Sequence, residues 1–156
     1  MAQEQEQVLF ESSIRELSRL TLRALAVLSP SNSVPDPVRY QEVIRCISEL
    51  RQMWADHMVL HSRASSIILA SDPHFTDFLT ALDREGSDFD HQLSALSSAA
   101  WPRSSGAAMY SVRGRIAETL TALHHQVDRE RTTVLPLLRR WCSEQSSETT
   151  CSALRS

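Results

Sequence analysis

Two histidines stand four residues apart in His57-Met58-Val59-Leu60-His61, and Glu130 lies far along the chain between Val127 and Val134. On a helix, residues four apart share a face, so the two imidazoles can be presented to a single cation. An inward carboxylate from a facing helix completes a nitrogen and oxygen donor set without thiolate, which suits iron, manganese or zinc. The same three groups have a second use. Buried histidines left without partners cost roughly 1–3 kcal/mol each, and an inward acid or a buried water can satisfy them with no metal present. At the level of residue types both readings stand.

The elements that must position these groups are helices. Four long helical segments are separated by three short stretches carrying proline, glycine and serine, and no strand-like alternation of useful length is present. The simplest arrangement is an all-α, up-down-up-down four-helix bundle over residues 1–142. The first helix is expected from Gln5 to Leu28 with an inner stripe of Phe10, Ile14, Leu17, Thr21, Ala24 and Leu28, stopping at Ser29-Pro30 before a loop to Pro35. The second opens on Asp36-Pro37, a cap followed by proline at the first helical position. Its seam runs Val43, Ile47, Leu50, Trp54, His57, His61, Ala64 and Ile68, at steps of four and three. Asp72-Pro73 begins the third helix, which runs to about Ala100 before Trp101-Pro102. The fourth, from about Gly106 to Cys142, has the seam Ile116, Leu120, Leu123, Val127, Glu130, Val134, Leu137 and Trp141, with Pro136 expected to kink its last turns. Residues 143–156, rich in Ser, Thr and Glu, are expected to be disordered.

Composition narrows the functions. The chain has 156 residues, 42% hydrophobic, enough for one sizeable core. A net charge of -3, with all 16 basic residues arginine and no basic cluster, gives no footprint for nucleic acid. No apolar run approaches a membrane span, and the start Met1-Ala2-Gln3-Glu4 is unlike a signal peptide, so a cytoplasmic location is the expectation. Cys46, Cys142 and Cys151 are widely spaced with no CxxC, which favours reduced structural thiols. No serine or cysteine nucleophile has a base at motif spacing, so an enzyme ranks last.

Leu50 to Leu69, LRQMWADHMVLHSRASSIIL, resembles the second helix of hemerythrin-like proteins, where a histidine is followed four residues later by another ligand. Leu120 to Leu138, LTALHHQVDRERTTVLPLL, resembles that family's last helix, with a histidine before a glutamate and an apolar-Pro-apolar ending, and Asp90-His91 resembles the acidic-His pair of its third. The resemblance implies a non-haem iron centre, di-iron or mononuclear, binding or sensing oxygen, nitric oxide or iron itself, with His57, His61, His91, His124 and Glu130 as ligands. This sequence departs from the family in several places. His61 stands where the family has a carboxylate, Gln126 stands four before Glu130, and the first helix has no histidine, Glu11 being the nearest substitute.

On a regular third helix, whose seam is Leu79, Leu82, Gly86, Phe89, Leu93 and Leu96, His91 points outward and Glu85 lies nearer the core; a register break at Gly86 would be needed to turn His91 in. His124 lies about 90° from the seam of the fourth helix and His125 nearly opposite it. Asp128 is a surface acid by default, His74 an exposed histidine, and Arg131 or Arg63 the flanking cations for Glu130. The alternative function is a metal-free regulatory bundle with a decayed site, bound to a protein partner, as the regulator of sigma D family looks. The expected partners are therefore a small diatomic ligand or a regulatory protein, with the chain a monomer or a homodimer through Leu9, Leu22 and Phe75.

Overall fold

The protein is an all-α helical bundle, and its computed structural model describes residues 2–29, 36–98 and 106–153. The loop of Pro30 to Pro35, the stop at Trp101-Pro102 and the capping side chains of Asp36 and Pro37 lie outside the described residues. Helix α1 spans Ala2–Leu28, α2 Asp36–Ser71, α3 Thr76–Ser98, α4 Gly106–Arg129 and α5 Leu135–Ala153. Among the described residues there is no strand, and no helix is long and apolar enough to cross a membrane.

The stepping of apolar residues by three and four turns one stripe of each helix inward. From α1 come Phe10, Ile14, Leu17, Leu20, Ala24 and Leu28; from α2 Val43, Ile47, Leu50, Trp54, Ala64 and Ile68; from α3 Leu79, Leu82, Phe89, Leu93 and Leu96. Ile116, Leu120, Leu123 and Val127 of α4 close the core. Each fully buried leucine or isoleucine contributes roughly 1.5–3 kcal/mol over its exposed state, so this one continuous core carries the fold. The helices pack α1 on α2 and α4, and α3 on α2 and α4. Surface ion pairs tie opposite ends of α1 to opposite ends of α2, Glu6 with Arg63 at 3.3 Å and Arg23 with Glu42 at 2.8 Å.

Between α2 and α3, Asp72 accepts the backbone N–H of His74 at 3.1 Å and starts a 3-10 turn, Pro73–Phe75, before α3 begins. The cap works as its residue types require, since proline at the first position has no donor to lose. Phe75 packs against the core rather than standing on the outer face, while Leu9 and Leu22 are exposed as expected. Cys46 and Cys142 are free, buried thiols.

The fourth helical segment is not one regular helix. Glu130–Val134 form a π turn in which the N–H of Leu135 donates to Glu130 O. Pro136, the next residue, has no N–H, and its ring would press on the carbonyl four residues back in a regular α-helix. The distortion that Pro136 demands is therefore taken up on its N-terminal side. A π turn inserts one residue into the helical period, and the inner stripe moves accordingly: after Val134 the buried residues are Leu135, Leu138 and Cys142, while Leu137 and Trp141, expected on the seam, are half-buried.

Past Cys142 the helix continues to Ala153, so 143–153, marked for disorder by composition, is helical. Serine and threonine hydroxyls return to carbonyls four residues back along it, and Ser146 reaches Glu4 of α1. Cys142 also donates to the Gln3 carbonyl at 3.4 Å. These contacts with the first turns of α1 are what composition alone does not register.

Gly86 and Gly114, both inside helices, test the packing. A Cβ at Gly114 would meet nothing within 4 Å, so Gly114→Ala should stabilise by about 1 kcal/mol through helix propensity alone. A Cβ at Gly86 would lie 2.5 Å from Met58 Sδ and 3.3 Å from Trp54 Cζ2. Gly86→Ala should therefore lose the gain that Gly114→Ala shows, because Met58 must be displaced. Urea denaturation of the two variants side by side checks this; equal stabilisation would mean that α2 and α3 do not approach as closely as described.

Candidate functional site

His57, His61 and Glu130 meet in the interior, with 0%, 1% and 0% of their surfaces exposed. The steps of three and four along α2 carry both imidazoles to the inner face, and Glu130 arrives from the first position of the π turn. His57 Nε2 is in close hydrogen-bonding contact with Glu130 Oε2, and His61 Nδ1 lies 2.9 Å from Glu130 Oε1. That second pair is close in distance but off the line of a hydrogen bond, leaving both atoms buried without a hydrogen-bond partner and held by charge.

The outer ring nitrogens face serines. The hydroxyl of Ser13 on α1 is 2.9 Å from His57 Nδ1, and that of Ser65 is 3.4 Å from His61 Nε2. With Nε2–H donating to Glu130, a neutral His57 accepts the Ser13 hydroxyl proton at Nδ1, a tautomer assigned from its partners. Phe10 and Trp54 flank the His57 ring, each with its centroid 5.2 Å away. Trp54 is itself fixed by donating its indole N–H to the Gly86 carbonyl at 2.7 Å.

Electrostatics within the cluster oppose burial and win. Burial alone would push the Glu130 carboxyl up, yet the hydrogen bond and charge of His57 and the close contact and charge of His61 hold it down at about 2 against an ordinary 4.5. Burial would likewise lower His61, and the contact and charge of Glu130, with a smaller contribution from Asp83, raise it instead. Glu130 is therefore ionised inside an apolar core, and His61 favours its protonated form.

Comparison with protein-family models, curated proteins and solved structures found no match.

The other candidate ligands do not join the cluster. His91 is exposed, its Nδ1 3.1 Å from the Ser87 carbonyl one turn back, because α3 passes Gly86 without a register break. Gly86 serves the close approach of Trp54 and Met58 instead. His124 is half-buried with Nδ1 lacking a hydrogen-bond partner, and its ring neighbours His125 at 6.3 Å. Glu11 pairs with Arg139 at 2.8 Å and with Arg15 at 3.8 Å, and Glu85 pairs with Arg129. Neither flanking cation reaches Glu130, since Arg131 pairs with Asp128 and Arg63 with Glu6. Gln126 is buried beside the cluster in sequence but faces α3, 3.4 Å from the Leu82 carbonyl.

Two participants escaped sequence reasoning, Ser13 and Ser65. Ser13 is three residues after Phe10 and Ser65 four after His61, so helical spacing held a signal for both. Among the described residues no three or more His, Cys, Asp or Glu side chains stand ready as a metal cage. The donor chemistry nevertheless fits one cation. Two imidazole nitrogens aim at one carboxylate, their far nitrogens face hydroxyls as metal-bound imidazoles require, and His61 Nδ1 and Glu130 Oε1 have room in their bonding for a shared partner.

Proposed function

We propose that the protein is a metal-binding helical bundle of the hemerythrin-like kind, holding one divalent cation, iron foremost, on His57, His61 and Glu130. The observation that carries this reading is the convergence of two buried imidazoles on one buried, ionised carboxylate, with a serine behind each ring. Iron on two nitrogens and one oxygen supplies open positions for a small diatomic such as dioxygen or nitric oxide, so the function is binding or sensing. The protein's own part is to keep the donors dry, to set the imidazole tautomers through Ser13 and Ser65, and to hold the carboxylate charged. With Glu11, Glu85 and His91 committed elsewhere, one ion per chain is the expected stoichiometry.

One observation favours a second reading, a metal-free regulatory bundle. Glu130 already hydrogen-bonds one imidazole and lies 2.9 Å from the other, so the cluster can be a closed structural element left from a former site. Anaerobic reconstitution with ferrous iron, followed by elemental analysis and an ultraviolet-visible spectrum, decides between them. About one equivalent in the wild type, lost in His57→Ala and His61→Ala, is the expected result. No iron, manganese or zinc in the wild type, together with a stoichiometric co-purifying protein, would replace the metal reading with the second.

A further inference from the structure

We infer that the cleft between α2 and α3 beside His61 is the entry route for a divalent cation to the buried cluster, with Asp83 as its acidic mouth. This rests on the metal-binding reading above. The cleft has a volume of about 260 Å³ and is lined by His61, Ser62, Ser65, Ser66, Thr80 and Asp83, over Leu69 and Leu79. A water molecule needs ~30 Å³, so the cleft admits a cation with much of its hydration shell.

Its chemistry suits that cargo. Four hydroxyls and a carboxylate are hard oxygen donors that can replace hydration waters one at a time as an ion moves inward. At the inner end stands His61, 1% exposed, which faces Ser65 with Nε2 and Glu130 with Nδ1. A turn of that one ring therefore separates the cleft from the carboxylate. Asp83 lines the same cleft as His61, which places its carboxylate along the path. His57 has no such opening, being enclosed by Phe10, Trp54 and Ser13.

Stopped-flow uptake of Zn(II) from a chromophoric indicator by the metal-free full-length protein tests the route. Ser62→Phe, at an exposed lining position, plugs the cleft and should slow uptake at least about tenfold, and Asp83→Asn should slow it several-fold at low salt and less at high salt. Equilibrium affinity should stay within about twofold in both, since neither residue is a ligand. Thr80→Phe, at an exposed lining position on α3, substitutes if Ser62→Phe does not fold. Ser48→Phe, ~21 Å away along α2, is the control and should load at the wild-type rate. Unchanged uptake in the plugged variant overturns the inference.

A wild type that takes up no zinc, iron or manganese at equilibrium overturns the cation route together with the metal reading. The cleft itself has a metal-independent readout, acylation of imidazoles by diethyl pyrocarbonate mapped by mass spectrometry. With the reagent applied at alkaline pH, where an imidazole is unprotonated and nucleophilic, His61 should be labelled in the wild type and protected in the plugged variant. Labelling that the plug does not change would show that the cleft does not serve His61, even where zinc binds.

Discussion

Glu130→Ala should destabilise the fold by about 3–5 kcal/mol, because it strips two buried imidazoles of their common partner. A domain of this size has on the order of 5–15 kcal/mol in total, so the variant should sit near the edge of unfolding at room temperature. The loss comes from breaking the set and says little about the set's net worth. Replacing all three groups together, His57→Leu, His61→Leu and Glu130→Met, removes the desolvation cost as well as the attraction, and should return stability to the wild-type level or above it by up to ~4 kcal/mol. Urea midpoints of the single and triple variants test this pairing. A Glu130→Ala loss below about 1 kcal/mol would mean that the imidazoles are satisfied without the carboxylate. A triple variant that is folded and stable would show that the fold does not depend on the cluster.

Stability should also follow pH in a window set by the same cluster. Glu130 titrates lower in the fold than in the unfolded chain, so its contribution is complete above about 4.5 and is lost as pH falls toward about 2. The difference between 4.5 and about 2 corresponds to about 3 kcal/mol. His61 is raised in the fold, so its contribution is complete below 6.5 and is lost as pH rises through its folded value. The metal-free protein should therefore be most stable between about pH 4.5 and 6.5. Surface pairs such as Asp72 with His74 add to the raw curve, so the comparison needed is wild type minus Glu130→Gln across pH 2–9. A difference curve that is flat between pH 2 and 4.5 would show that Glu130 is not held ionised by its neighbours.

Much of this arrangement was legible in the chain because it depends on local period. The steps from Val43 to Ile68 placed His57 and His61 inward, and those from Ile116 to Val127 carried Glu130 to meet them. Where motif and period disagreed, at His91, the period was the better guide: the family-like Asp90-His91 pair pointed inward, whereas 100° per residue placed the ring in solvent, where it lies. The features that were not legible depend on partners distant in sequence. Gly86 reads as a weak point of α3 until Met58 and Trp54 are seen against it. Residues 143–153 read as polar and loose until Glu4 and Gln3 are placed beside them. The shift of the last seam to Leu135, Leu138 and Cys142 was hidden for another reason, since a fixed period cannot report an added residue.

That added residue has an implication for how this chain tolerates change in length. Deleting one exposed position of the turn, such as Thr132, would renumber the spacing from Glu130 onward to plain steps of four, three and four, with every apolar side chain still facing its present neighbours. Only Pro136 would object, its ring now driven against an ordinary helical carbonyl. Shortening the segment and replacing that proline are thus two halves of a single edit, harmless when made together and disruptive when made apart.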